Sequence, residues 1–335
     1  MKIKLTKQEK NWILYDVGNS AFTLLAATIL PIYFNYIAGK QGLSDVQYLA
    51  YWGYAVSIAT LLTALAGPVF GTVADTKGYK KPVFTIALGI GTIASVALGF
   101  AKYWLAFLVV FVIAKVGYSV TLVFYDSMLV DVTLEDRMDE VSSQGYAWGY
   151  IGSCVPFVIC LLVVLNAGKI GITMEIAMMV SFVIITVWWV IMTLPLLKTY
   201  HQKYYVEKKQ HAFLESFKRI GITLKNVKKE KKVFLFLLAF FFYIDGVYTI
   251  IDMATAYGSA LGLSSTGLLL ALLLTQIVAF PFAIIFGRLA KKYSAEKLIT
   301  VCIVAYLGVA IFAIFLHYQW QFWVLAVWVG MFQGG

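Results

Sequence analysis

The sequence predicts an all-α integral membrane protein built from two related halves. Hydrophobic residues make up 61% of the 335 residues and charged residues only 13%, which excludes an ordinary soluble protein. Long apolar runs recur between short polar loops, and a membrane-spanning helix needs about 20 such residues. The polar pattern GTVADTKGYKK at residues 71–81 is partly repeated as GRLAKKYSAEK at 287–297, each time between two apolar runs. Internal repeats of this kind are typical of secondary transporters.

The apolar runs predict nine complete membrane spans and the start of a tenth. The tenth begins near Trp320, and the chain stops at Gly335 within that helix, so we expect a fold that is truncated in its tenth helix. The predicted complete spans are 12–38, 48–74, 82–101, 104–130, 144–166, 173–197, 233–258, 264–287 and 297–316.

Basic residues concentrate on one predicted side of the membrane. The formal net charge is +10, and most of the 27 Lys and Arg residues precede the first span or follow an even-numbered one. The exceptions are Lys40, Lys102, Lys115 and Lys169. The positive-inside rule therefore predicts a multi-pass protein with a cytoplasmic N-terminus, in the cell membrane if the source is bacterial. It also explains the basicity without a nucleic-acid partner.

A basic segment separates the predicted halves. We divide the chain into an N-terminal six-helix half (1–197), a cytoplasmic linker (198–232) and a C-terminal part (233–335) with helices seven to nine and the start of the tenth. Apolar residues at helical spacing predict an interfacial helix inside the linker. These residues are Phe213, Phe217, Ile220, Leu224 and Val227. A solvated basic linker and a regulatory partner site are the alternatives.

The loop after the second span resembles the signature of the major facilitator superfamily, which has a glycine, an aspartate, a second glycine and basic residues. The matching positions are Gly71, Asp75, Gly78, Lys80 and Lys81. In the second copy Gly287 and Arg288 fit, whereas Lys291 occupies the aspartate position. The resemblance implies two six-helix halves and a gate, in which Gly71 admits a helix of the other half and Asp75 meets positive charge. A merely topological basic loop is the alternative.

Two longer segments resemble the vacuole effluxer-like branch of this superfamily, the autophagy-related amino-acid effluxers of fungi and their bacterial relatives. They are WILYDVGNSAFTLLAATILPIYF at 12–34 and FFYIDGVYTIIDMATAYGSALGLS at 241–264. The closing GMFQGG at 330–335 is similar to the tenth helix of that family. The fourth span departs from the family pattern, because it ends in FYDSMLVDV with Asp126 and Asp131. The resemblance is specific for fold and family but not for substrate.

Lys115 lies about eleven residues into the fourth span, which places it near the middle of the bilayer. Asp245 lies at a similar depth in the seventh span, and Asp252 follows seven residues later on the same helix face. The resemblance implies that the first, fourth, seventh and tenth helices line a central cavity. We hypothesise that Lys115 receives a substrate carboxylate or pairs with Asp245, and that a carboxylate couples transport to protons. A purely structural ion pair is the alternative.

The first span carries another candidate group, Asp16 with Asn19. Gly18 lies between them, and Gly246 follows Asp245 in the seventh span, so we expect each helix to be loosened beside an acid. A cavity lining or a hinge would use such a site. Asp16 could alternatively be an interfacial charge favoured by the helix dipole. Asp126 in the fourth span completes the candidate set.

Together these features predict a secondary active transporter or effluxer of small polar solutes that works by alternating access. Amino acids are one candidate substrate class, and proton coupling is a candidate energy source. The sequence contains no phosphate loop, metal-ligand cluster or nucleophile elbow, so we expect neither an enzyme nor a bound cofactor or metal. The expected partners are a small-molecule substrate and the lipid bilayer, and we expect a monomer. A non-transporting membrane scaffold or sensor is the alternative.

Overall fold

The computed structural model describes residues 5–207, 222, 225–227 and 229–334, and these are almost entirely helical. Short 3-10 helices cover Leu98–Phe100 and Glu135–Arg137. The longer α-helices of the described residues are α1 (Lys7–Ala27), α2 (Ile29–Lys40), α3 (Asp45–Asp75), α4 (Lys80–Ala97), α5 (Trp104–Val132), α6 (Met138–Leu165), α7 (Met174–Thr199), α8 (Lys231–Ala260), α9 (Ser265–Leu289), α10 (Ala295–Ile314) and α11 (Gln319–Phe332).

Nine segments of the described residues are long and apolar enough to cross a membrane, which confirms the nine predicted spans. α1 and α2 together form the first, Lys7–Lys40, and each later span corresponds to one predicted window. α11 begins at Gln319, beside the predicted start at Trp320. We call the side on which α1 begins the N-side and the opposite side the far side. Because successive spans alternate in direction, α8 also runs from the N-side to the far side.

The first span is broken at Thr28, where the sequence predicts a continuous helix. Thr28 has φ −121° and ψ −76°, and its hydroxyl donates a hydrogen bond to the carbonyl of Leu24. Pro31 has no N–H to donate to the carbonyl four residues earlier, so the carbonyl of Ala27 is left without its helical donor. The Thr255 hydroxyl of α8 donates to this carbonyl at 2.5 Å. The break therefore supplies an acceptor that ties α8 to the first span.

The glycines that we expected to loosen the helices do not interrupt them. α1 is continuous through Gly18 and α8 is continuous through Gly246. At Gly18 the missing side chain serves packing, because a Cβ there would lie 2.9 Å from the Cβ of Met192 on α7. At Gly246 no described atom lies within 4 Å of such a Cβ. The expected loosening of the helix is therefore absent at both positions, and the irregularity of the first span lies at Thr28. A cavity-lining or hinge role for these segments stays a prediction.

Two hydrophobic cores organise the bundle. The larger is built mainly from α1–α7, which we call the first group of helices, and a smaller one from α8–α11, the second group. α6 packs against α9 through a third cluster that contains Ala147, Tyr150, Ala279 and Ala283. α6 also lies close to α1, because a Cβ at Gly149 would stand 2.7 Å from the Ser20 hydroxyl. Small residues on α6 thus allow close approach on both sides, as is common in membrane bundles.

α8 meets the first group of helices near the far side. Trp52 of α3 donates a hydrogen bond to the Asp252 carbonyl at 3.3 Å, and the Met253 side chain lies 3.7 Å from a Cβ built on Gly53. Residues 231–242, at the N-side end of α8, are all exposed. Contacts between α8 and the first group of helices therefore concentrate at one end of the bundle.

The start of the linker is bound beneath the loop between α3 and α4. Val206 forms an isolated parallel bridge with Thr76. Its N–H donates to the Asp75 carbonyl at 2.7 Å, and its carbonyl accepts from the Lys77 N–H at 3.0 Å. Lys77 also pairs with Glu207 at 2.9 Å, and this hydrogen bond raises the pKa of Lys77. Of the predicted interfacial helix, Phe213, Phe217, Ile220 and Leu224 lie outside the described residues.

Candidate functional site

The central charged pair joins Lys115 on α5 to Asp252 on α8. The Nζ and Oδ2 atoms lie 2.5 Å apart, and the side chains are 14% and 15% exposed. α5 is held by close packing on α4, where a Cβ at Gly117 would lie 2.8 Å from the Cα of Gly91. The pair therefore connects the two groups of helices by a charge-assisted hydrogen bond.

The structure pairs Lys115 with Asp252 and not with Asp245. Asp245 is exposed, and it forms no ion pair with any described residue. It lies seven residues before Asp252, about 10 Å closer to the N-side along the helix axis. Because seven residues make nearly two turns, the sequence predicts the correct face of α8 but not the turn that meets the ammonium. α8 approaches the other helices toward the far side, and this selects Asp252.

Two further carboxylates, Asp16 on α1 and Asp126 on α5, are close enough to interact electrostatically. Asp16 is 7% exposed, and its Oδ2 would lie 3.2 Å from a Cβ at Gly149. Asn19 is buried beside it. Neither carboxylate forms an ion pair within the described chain. Neighbouring carboxylates without a cation are an arrangement in which membrane proteins bind protons or cations.

Exposed side chains on α5, α6 and α8 lie beside these carboxylates. Tyr146 on α6 and Tyr248 on α8 are 52% and 55% exposed, and Asp126 is also exposed. Protein nevertheless surrounds all three on most sides, and they lie within electrostatic reach of one another. Tyr248 is also within reach of Asp252. We interpret the exposed region around Asp126, Tyr146 and Tyr248, which adjoins Asp16 and the Lys115–Asp252 pair, as the central cavity that the family resemblance implies.

The sequence interpretation missed the aromatic residues around these carboxylates, some of which are buried in the core. The Trp12 and Tyr125 rings stack with centroids 4.2 Å apart, and the Trp12 indole donates to the Tyr125 carbonyl at 3.1 Å. The Tyr125 hydroxyl is buried without a hydrogen-bond partner among the described residues. Tyr248 could have been found from its spacing, because it precedes Asp252 by four residues and so shares its helix face. Tyr146 carries no comparable local signal.

The contacts expected for the gate residues Gly71 and Asp75 are not formed. No described atom lies within 4 Å of a Cβ built on Gly71. Asp75 is exposed, and its carboxylate has no ion-pair partner in the described residues. The reason is that α8 meets the first helices at the far side, so no described helix of the second group lies within 4 Å of a Cβ built on Gly71 near the N-side end of α3. The role of this loop as a gate stays a prediction.

One basic residue of the loop, Lys80, belongs to a buried cluster instead. Lys80 is 2% exposed, and its ammonium pairs with Asp131 at 3.1 Å. Tyr200 donates to the same carboxylate at 2.5 Å, and burial raises the pKa of Tyr200. The other Asp131 oxygen accepts the N–H groups of Lys203 and Tyr204, each at 2.9 Å. We call Lys80, Asp131 and Tyr200 the clasp, and it fixes the linker start to α4 and α5.

Two other loop residues differ in their surroundings. Gly78 has φ +78°, a left-handed conformation that favours glycine, and its N–H donates to the Gln202 side chain at 3.0 Å. Lys81 is exposed.

The sequence interpretation recorded Asp131 only as a departure from the family pattern, because its partners come from distant parts of the chain.

The second copy of the loop supports helix packing. A Cβ at Gly287 of α9 would lie 2.6 Å from the Ser143 Cβ of α6, so this glycine permits a close helix approach. Arg288 is exposed. Lys291, at the position of the lost aspartate, pairs with Glu140 at 3.0 Å. Among the described residues, no group of three His, Cys, Asp or Glu side chains could hold a metal ion.

Comparison with known proteins identifies the family. The model of the family described as vacuole effluxer Atg22 like matches residues 6–335. The chain belongs to this family. A Bacillus subtilis protein named as an uncharacterized MFS-type transporter, YxiO, is 43% identical over 340 residues, covering 100% of this chain and 79% of that protein. The family resemblance predicted from the sequence is thereby confirmed.

Solved structures agree on the fold. The nucleoside transporter NupG superimposes with a TM-score of 0.61 at 17% identity, covering 98% of this chain and 80% of that chain. A D-xylose-proton symporter gives a TM-score of 0.57 at 13% identity, with 98% and 79% coverage. At these identities the likeness shows the fold alone, which is that of the major facilitator superfamily. The chain is a multi-pass, MFS-type transporter.

Proposed function

We propose that this protein moves small polar solutes across the membrane by alternating access. Residues 1–197 and 233–335 act as two halves that rock around the central cavity, with 198–232 as the linker. The observation that supports this most strongly is the Lys115–Asp252 pair, which connects the two halves beside the central cavity. Ionisable groups inside a membrane are costly and mark substrate or ion pathways. A membrane scaffold or sensor would not require ionisable side chains at this depth.

The charges of the cavity favour a zwitterionic substrate, with amino acids as the candidate class. The Lys115 ammonium offers a site for a carboxylate, and the Asp16 and Asp126 carboxylates offer one for an amine. The Tyr146 and Tyr248 hydroxyls add neutral hydrogen-bonding groups. An amino acid placed in the central cavity would meet groups complementary to both of its charges.

The same pair links binding to conformational change. A substrate carboxylate that binds Lys115 competes with Asp252, so it weakens one of the contacts that hold α8 at the far side. The N-side end of α8 would then approach α3, and the loop with Gly71 and Asp75 would act as the gate. With a cytoplasmic N-terminus, the cavity would load from the cytoplasm, which suits an effluxer. Protonation of Asp16 or Asp126 would couple the cycle to a proton gradient, and one chain would be the transporting unit.

Thermal stabilisation of the purified protein by amino acids tests this proposal. A ligand that binds only the folded state should add about 2.7 kcal/mol at 100 times its dissociation constant. Measurements at about pH 5.5 and 7.5 would report proton linkage. The stabilisation should disappear in Lys115→Met and persist in Lys169→Met, which removes an exposed lysine from a far-side loop. A stabilising amino acid that binds Lys115→Met as tightly as the wild type would overturn the proposed site.

A further inference from the structure

A second cavity lies at the far side, outside the central one. Its volume is about 540 Å³, within the range of small-molecule pockets, and all its lining residues belong to positions 33–179. It is bounded by the last turn of α2, the chain around Leu98–Phe100 and the start of α7. Because these are the ends of three spans, the cavity opens at the level of the lipid headgroups.

The charges on its wall are unbalanced. Glu175 accepts hydrogen bonds from the Lys40 ammonium at 2.7 Å and the Tyr36 hydroxyl at 2.9 Å. Lys102 also lines the cavity, and it forms no ion pair with any described residue. Gln41 fixes its backbone by donating to the Lys102 carbonyl at 2.7 Å. One carboxylate therefore faces two ammonium groups, and the wall carries an excess positive charge.

Apolar side chains stand beside these charges. Phe100 is 68% exposed and Ile176 is 43% exposed, and both line the cavity. A cavity at the ends of spans, with a spare cation and exposed apolar side chains, matches the two parts of a phospholipid. We propose that this cavity binds the headgroup of an anionic phospholipid, with Lys102 on the phosphate and the acyl chains along Phe100 and Ile176. The proposal is independent of the transported solute.

Lipid binding to the purified chain tests it. Phosphatidylglycerol and phosphatidylcholine are added in mixed micelles, and retained lipid is measured by native mass spectrometry. Phosphatidylglycerol should bind the wild type more tightly, and Lys102→Gln should weaken it about fivefold, the effect of one lysine near an anionic surface. Glu175→Gln removes the opposing carboxylate and should strengthen binding. Lys169→Gln, in a far-side loop that does not line the cavity, should change nothing.

Several results would overturn the proposal. One is equal binding of the two lipids by the wild type, and another is an equal effect of Lys102→Gln and Lys169→Gln on phosphatidylglycerol binding. A third is weaker lipid binding by Glu175→Gln, provided that this variant, without lipid, is as stable to unfolding as the wild type. Binding of soluble glycerol phosphate is measured as well, to separate recognition of a lipid from recognition of a free anion. If it binds with the affinity of phosphatidylglycerol, the cavity recognises a free anion and not a lipid.

Discussion

The Lys115 ammonium and the Asp252 carboxylate are 137 positions apart in the chain and meet at 2.5 Å between α5 and α8. Both side chains are mostly buried, so loss of one partner leaves the other as a poorly solvated charge. Together with the hydrogen bond from Thr255 to the Ala27 carbonyl, the pair fastens the far-side part of α8. The position of α8 therefore depends on both contacts, together with the hydrogen bond from Trp52 to the Asp252 carbonyl.

A double-mutant cycle should measure the interaction energy between Lys115 and Asp252. Lys115→Met and Asp252→Asn should each destabilise the protein by about 2 kcal/mol, because each leaves an uncompensated charge that is partly screened by the cavity. The double mutant should lose less stability than the two single mutants lose together, with a coupling energy of about 1–2 kcal/mol. Chemical unfolding in detergent measures these values. Asp245→Asn is the matched control on the same face of α8, and a destabilisation equal to that of Asp252→Asn would contradict the assignment.

Two helix glycines should respond oppositely to alanine. Gly149→Ala places a Cβ 2.7 Å from the Ser20 hydroxyl and 3.2 Å from Asp16, so it should destabilise the protein by about 1–3 kcal/mol. Gly71→Ala meets no described atom within 4 Å and should be neutral or stabilising by up to about 1 kcal/mol. Unfolding midpoints of both variants test the packing. A stable Gly149→Ala protein would show that α1 and α6 are further apart than the structure has them.

The clasp should control access to the linker. Asp131→Asn leaves the buried Lys80 ammonium without its charge partner and should destabilise this region by about 3 kcal/mol. Trypsin should then cleave faster after Lys203, whose N–H is otherwise bonded to Asp131. Asp136→Asn, in the exposed turn before α6, should leave the cleavage rate unchanged. Equal cleavage of both variants and the wild type would argue against the clasp.

Alkaline pH should weaken the clasp through Tyr200. Its pKa is raised in the folded state, so above about pH 10 the unfolded chain loses a proton that the folded chain retains. The free energy of unfolding should therefore fall as the pH rises past that value. Tyr200→Phe removes the ionisable group and should show a smaller fall over the same range. Parallel pH profiles of the two proteins would exclude Tyr200 as the cause.

The sequence predicted the spans well because the membrane thickness fixes the length of each apolar run, as in Trp104–Val132. It did not predict the helix break at Thr28, although Pro31 is a local signal for it. The partner of Lys115 could not be chosen, since Asp245 and Asp252 share one face and only tertiary packing sets their depth. The clasp around Asp131 was beyond sequence reasoning because its partners lie up to 73 positions away.

The most direct test of the proposed mechanism is amino-acid counterflow into proteoliposomes that contain the purified protein. The wild type should accumulate labelled substrate, and Lys115→Met and Asp252→Asn should lower the rate at least about tenfold, the equivalent of 1.4 kcal/mol in the transport barrier. Asp245→Asn serves as the matched variant for protein yield and insertion. Counterflow by Lys115→Met at the wild-type rate and with wild-type saturation would contradict a transport role for the Lys115–Asp252 pair.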